Sequence, residues 1–181
     1  MAAEIQLYKG SFFNFDDIEN NIVTIEDIAH SLSNQCRWSG HTLFHYSVAQ
    51  HLCYCCDAAY EKYQSDQWAY ECLMHDAPES VMVDLPRPLK RILSGYTELN
   101  DRIETFFGKK FHYTHPMPKE VQLIDDAMLI TEYQQVVDAV SQSHHPTFTN
   151  FYVEPLNIEI EVWSHGRAEN EFLDRYFEYR H

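Results

Sequence analysis

The chain has 181 residues, 45% of them hydrophobic, and its 28 acidic and 13 basic side chains leave a formal net charge of -15. That is enough apolar material for one domain with a core of its own. So acidic a surface repels DNA and anionic membrane and excludes general nucleic-acid binding, although a local cation cluster or a metal can reverse the field inside one pocket and admit a small phosphorylated ligand.

The opening residues, Met1-Ala2-Ala3-Glu4-Ile5, have neither the basic start nor the apolar run of a signal peptide, and no stretch approaches the ~20 apolar residues of a membrane span. The expected location is the cytoplasm. The five cysteines, Cys36, Cys53, Cys55, Cys56 and Cys72, are odd in number and crowded, which argues against a disulfide framework. Cys53 and Cys56 would need a second ligand pair to hold zinc, and Cys36 and Cys72 lack that spacing, so buried helical thiols are expected.

In chain order, residues 4–15 are short and aromatic and predict a small hairpin or an extended arm. Thr24, with Asp27 three positions on, is an N-cap signal, and Ile25, Ile28, Ala29 and Leu32 follow at helical spacing, giving a helix over 25–35. The loop Arg37-Trp38-Ser39-Gly40-His41-Thr42 precedes a second helix near 44–64, with Val48, Leu52, Cys55, Cys56 and Ala59 on one face. A third helix, 67–76, ends at His75-Asp76, before Pro78. Further helices are expected over 87–94, 97–107, 119–141 and 166–179, with a Pro-rich turn at 115–118 and a loop or short strands over 142–157. Few glycines, no linker and no repeat predict a single domain over 1–181, mostly helical.

The adjacent His75 and Asp76 offer an imidazole nitrogen and a carboxylate oxygen, donors suited to Zn, Mn, Fe, Co or Mg. His51 lies mid-helix on the apolar side, where a lone histidine is more often simply a satisfied core residue. The same holds for His30 and His45. Asp125 and Asp126 interrupt the apolar run 121–130, where an acid is costly to bury unless paired or metal-bound. One of the two is expected to face solvent. Together these residues give a His…His-Asp…Asp pattern spread over three helices.

The segments Ile25 to Leu32, Cys36 to His41, Tyr46 to His51, His75-Asp76-Ala77-Pro78-Glu79, Asp84-Leu85-Pro86-Arg87-Pro88-Leu89-Lys90, and Asp125 followed by Leu129-Ile130-Thr131-Glu132 occur in that order. Over roughly 22–135 the chain thereby resembles the HD-domain phosphohydrolase superfamily, most closely its small 5′-deoxynucleotidase-like branch, which includes phage-borne members. The resemblance implies an all-α HD-domain bundle, with a minor β-hairpin at the N-terminus or near 148–160. It implies His51, His75, Asp76 and Asp125 as metal ligands, with Asp126 the alternative to Asp125 if the register is off by one. It also implies that Glu79 and Asp84 support water activation and proton transfer, and that Arg37 and Trp38 lie near the substrate. Asp84 can instead cap the helix after Pro86, Arg37 can serve in a salt bridge and Trp38 in core packing. Lys90 adds positive charge at the phosphate, or is an ordinary exposed lysine. His41, beside Arg37, can touch phosphate. His112, His115, His144, His145 and His165 receive no role.

The expected activity is metal-dependent release of phosphate from deoxynucleoside 5′-monophosphates, with Mn, Co, Zn or Mg as the ion. A deoxynucleoside triphosphohydrolase, a cyclic- or signalling-nucleotide phosphodiesterase and a non-catalytic nucleotide-binding module are the competing expectations. The scarcity of basic residues favours the monophosphate. A small-molecule substrate, no nucleic acid, no membrane and a homodimer complete the expected partners.

Overall fold

The helices begin where the sequence supplies a side-chain acceptor. In the computed structural model, which describes residues 3–137 and 153–180, α1 spans Ile25–Asn34. It opens with a complete capping box in which Thr24 and Asp27 satisfy each other's backbone N–H. Ser47 caps α2 (Val48–Tyr63), Ser65 caps α3 (Asp66–Met74) and Ser164 caps α8 (His165–Tyr179), each accepting from a backbone N–H three residues on. Between α3 and α8 lie the short α4 (Glu79–Met82) and α5 (Arg87–Ile92), then α6 (Tyr96–Phe111) and α7 (Lys119–Glu132), which ends in a π-turn over Tyr133–Val137.

The fold is all-α with a minor antiparallel hairpin. β1 (Glu4–Gln6) pairs with β2 (Phe12–Asn14), Ile5 opposite Phe13. Phe13 is fully buried and packs its ring against Phe106 and Phe107, which fastens the hairpin to α6. The hairpin is therefore the N-terminal one. Much of 148–160 lies outside the described residues, and its described part, 153–160, contains no strand.

α2 is the central element, packing against α1, α3, α7 and α8. Its small buried residues, Ala49, Cys53, Cys56 and Ala59, let those neighbours approach closely, while Leu52 fills the space between them. Burying a leucine of this kind contributes about 1.5–3 kcal/mol. α2 starts at Val48 rather than near 44. Residues 43–47 are instead held by non-helical partners: Leu43 N–H donates to the Val136 carbonyl, Arg37 N–H to the Tyr46 carbonyl, and Cys36 bridges to Ser47. The segment expected to continue α7 to residue 141, and the region containing His144 and His145, lie outside the described residues beyond 137. No described helix is long and apolar enough to cross a membrane.

Candidate metal centre

Three helices bring the centre together. His51 projects from the first turn of α2 and is fully buried. His75 follows the last residue of α3 in helical conformation, and Asp76 comes next in the turn leading to α4. Asp125 and Glu132 stand seven residues apart on α7, two turns along one buried stripe with Val121, Ile124, Met128 and Thr131.

Both imidazoles are fixed in the same sense. His75 Nδ1 lies 2.8 Å from the Cys72 carbonyl, which can only accept, so Nδ1 carries the proton. His51 Nδ1 lies 2.6 Å from Glu132 Oε1. Glu132 is fully buried, which alone would raise its pKa, but the Arg37 guanidinium and the His51 ring bring it down to about 2, so this carboxylate is the acceptor. Each histidine therefore turns Nε2 inward. His51 Nε2 lies 3.5 Å from Asp125 Oδ1 and 3.8 Å from Asp76 Oδ2. His75 Nε2 lies 3.3 Å from Asp76 Oδ2 and 3.9 Å from Asp125 Oδ1, and it is buried without a hydrogen bond.

This donor set fits a divalent cation. Among the described residues, ligand atoms of His51, His75 and Asp125 lie within 4.8 Å of one another, a span that a cation with bonds of about 2.1 Å can draw together. Two imidazoles backed through Nδ1 by a carboxylate and a carbonyl make the orienting shell that metal-binding histidines use. Burial disfavours a proton on His75, yet the Asp76 and Asp125 charges raise its pKa to about 9. A cation would take that proton's place. Asp76 is the looser fourth candidate: it approaches both imidazoles, while Arg37 Nη1 stands 3.7 Å from the same Oδ2. Cys55 Sγ lies 3.6 Å from His51 Nε2 but outside the group formed by His51, His75 and Asp125, and all five cysteines are free thiols.

Of the two aspartates on α7, Asp125 is the one in the cluster. Asp126 accepts from Gln122 on the outer side of the helix and lies 3.6 Å from Arg87. Glu79, one turn past Asp76, is buried. Burial and the charges of Asp76 and Asp84 push its pKa well up, while Lys90 Nζ donates to its Oε1 at 3.1 Å and Oε2 has no partner. Asp84 does not cap α5. Its backbone N–H donates to Gln35, and its charge, behind that of Glu132, supports the Arg37 cation against burial.

Arg37 and Trp38 face inward rather than toward open solvent. Arg37 Nε and Trp38 Nε1 both donate to Glu132 Oε2, at 3.2 and 3.1 Å. Trp38, Ser39 and Gly40 all have left-handed backbone, with φ of 57°, 53° and 79°, so two side-chain-bearing residues accept a strained turn that aims the indole at Glu132. His41 is exposed beyond that turn.

Three residues here had no assigned role in the sequence reading. Glu132 binds His51, Arg37 and Trp38 at once; its signal was the seven-residue interval from Asp125. Arg87 donates to Asp125 Oδ2 at 3.0 Å. Glu104 lines a cavity of about 100 Å³ with His75, Tyr113 and His115, and its pKa is raised to about 7 by burial and by Asp76. Helical sequence spacing does not reveal the last two, because their partners lie on other elements.

No family model matches the chain. Over 128 residues it is 38% identical to the uncharacterized protein YfdR of Escherichia coli strain K12, an alignment covering 71% of this chain and 69% of that one. Over 123 residues it is 32% identical to the uncharacterized protein RCAP_rcc00048 of Rhodobacter capsulatus, covering 63% of each. With that identity to YfdR over more than two thirds of both chains, the protein belongs to the YfdR family.

Proposed function

We propose that the chain is a metal-dependent phosphohydrolase of the HD-domain type that releases phosphate from deoxynucleoside 5′-monophosphates. The observation that carries this is the pair of imidazoles. Each has Nδ1 bound to a fixed acceptor and Nε2 turned toward Asp125 and Asp76, and a buried acid, Glu79, sits one turn away. His51, His75 and Asp125, with Asp76 completing the set, would hold the cation. Bound there, a divalent ion supplies an acidified water and offsets charge on a phosphoryl oxygen.

The protein's own groups supply the rest. Glu132 keeps His51 in the Nδ1–H form, and the Cys72 carbonyl does the same for His75. Arg37, pinned by Glu132, adds positive charge beside Asp76. Glu79 holds a proton well above the ordinary carboxylate range, which suits it to give that proton to the departing nucleoside oxygen. Lys90, on Glu79 Oε1, returns the group to its charged form less unfavourably. Arg37 is buried and engaged by acids, and the cations that reach the centre's acids from outside are Arg87 and Lys90, a set that suits one phosphate better than three.

The test is product analysis with metal-reloaded protein, the four deoxynucleoside mono- and triphosphates, and Mn, Co, Mg and Zn in turn. Orthophosphate from the monophosphates alone is expected. Triphosphate released from a deoxynucleoside triphosphate would replace the proposed substrate. No product from either set in protein that holds metal would make this a binding module. His75→Ala and Asp125→Asn should each abolish turnover and metal uptake, while Asp126→Asn retains both.

A further inference from the structure

α5 is six residues long and buries none of its side chains; Leu89, Ile92 and Leu93 are exposed, Ile92 to 78%. Two cations on this helix reach acids of the candidate centre. Arg87 Nη2 donates to Asp125 Oδ2 at 3.0 Å, and Lys90 Nζ donates to Glu79 Oε1 at 3.1 Å. The two residues are three apart and so share one face of the helix. Each pair joins a partly exposed cation to a buried acid, which places positive charge at the surface directly over the centre.

Asp125 Oδ1 faces the two imidazoles while Oδ2 takes Arg87. The guanidinium thus stands one carboxylate away from the cation ligands, with 53% of its side chain exposed. Lys90 stands over the buried proton-transfer candidate with 30% of its side chain exposed. Behind them the acids Asp76, Glu79, Asp84, Asp125 and Glu132 outnumber the one buried cation, Arg37, and the two imidazoles of His51 and His75. An anion drawn toward such a centre needs positive charge at its entrance. A guanidinium presents five N–H donors in a planar fork, which lets one side chain serve the carboxylates of Asp125 and Asp126 and a phosphate oxygen together.

We infer that Arg87 and Lys90 form an anion clamp through which α5 grips the phosphate of a phosphomonoester at the mouth of the centre. The clamp rests on the phosphohydrolase assignment proposed above. It makes α5 the element that would bring the phosphate against the centre, because its cations bind Asp125, a candidate ligand, and Glu79, the candidate proton donor.

The test is calorimetric titration with inorganic orthophosphate of Mn²⁺-loaded wild type, Arg87→Met, Lys90→Met and Arg91→Met, with Mn²⁺ affinity measured separately for each. Methionine keeps an apolar stem and removes the charge. Phosphate affinity is expected to fall about 10- to 100-fold in Arg87→Met and by a smaller factor in Lys90→Met, with Mn²⁺ affinity unchanged. Arg91→Met, exposed on the same helix, should leave both constants unchanged. If Arg87→Met loses Mn²⁺ affinity but keeps phosphate affinity in the loaded protein, Arg87 merely positions Asp125 and the clamp is wrong. Unchanged phosphate binding in Arg87→Met overturns it equally. If wild type binds Mn²⁺ and phosphate through Arg87 yet hydrolyses no deoxynucleotide, the substrate proposal fails and the clamp stands. If wild type takes no Mn²⁺, the metal proposal fails, and phosphate titrated alone decides the clamp: no Arg87-dependent uptake overturns it.

Discussion

Glu132 shows how one buried carboxylate sets the state of its neighbours. It has no solvent exposure and accepts from an imidazole, a guanidinium and an indole. Glu132→Gln keeps the volume but removes the charge opposite Arg37 and weakens the grip on the His51 tautomer. Removing one partner of a buried pair leaves the other uncompensated, at a cost of the order of 3 kcal/mol. Losing the group that orients a metal-binding histidine costs about 10- to 100-fold in metal affinity. Mn²⁺ titration and urea unfolding should show both losses; a variant with normal metal affinity would leave Glu132 a purely structural residue. The pH dependence has a definite sign. The folded pKa, about 2, lies below the ordinary glutamate value of 4.5. The stabilisation from Glu132 is therefore complete above about pH 4.5 and is lost as pH falls through the folded value. The stability gap between wild type and Glu132→Gln should shrink from pH 6 toward pH 2.

At the scale of the element, legibility followed the range of the interactions. α1 was readable because its start is written in four consecutive residues, Thr24 to Asp27, and its buried face repeats at helical spacing. The start of α2 was not, because residues 43–47 have apolar spacing that suits a helix but are claimed by partners distant in sequence, Val136 above all. The cysteines were readable as a group: Cys53, Cys55, Cys56 and Cys72 fall on the buried faces of α2 and α3, while Cys36 is half-buried in the bridge between them and α1. Burial pushes all four helical thiols well above the ordinary range, so the reactive thiolate is suppressed. A thiol reagent added to native protein should modify Cys36 first and the other four only on unfolding. Rapid native labelling at Cys55 or Cys72, located by peptide mass, would contradict the packing of α2 against α3.

At the scale of the whole molecule, the centre is a joint between distant parts of the chain. His51, His75 and Asp125 were singled out together by the motif resemblance; local pattern alone left His51 a core histidine and did not separate Asp125 from Asp126, although it marked an acid in the apolar run 121–130 as costly to bury without a partner or a metal. Arg87 and Glu104 could not, since nothing local marks an exposed arginine or an amphipathic glutamate until α5 and α6 are laid beside α3 and α7. The same geometry couples metal to folding. The candidate ligands come from α2, from the end of α3 and from α7, and they meet only when all three are packed, so a cation held there would bind the folded chain far better than the unfolded one. At a free Mn²⁺ concentration of a hundred times Kd the linkage contributes about 2.7 kcal/mol. For a domain of this size that corresponds to a rise in melting temperature of about 5–10 °C. His75→Ala should abolish the shift, because it removes a candidate ligand; since His75 also ends α3 and packs its ring on His51, its melting temperature without metal is the baseline for that comparison. Asp126→Asn should keep it, because that carboxylate lies outside the cluster. A wild-type melting temperature indifferent to Mn²⁺, Co²⁺ and Zn²⁺ alike would mean that the three helices close on His51, His75 and Asp125 for the sake of the ion pairs alone.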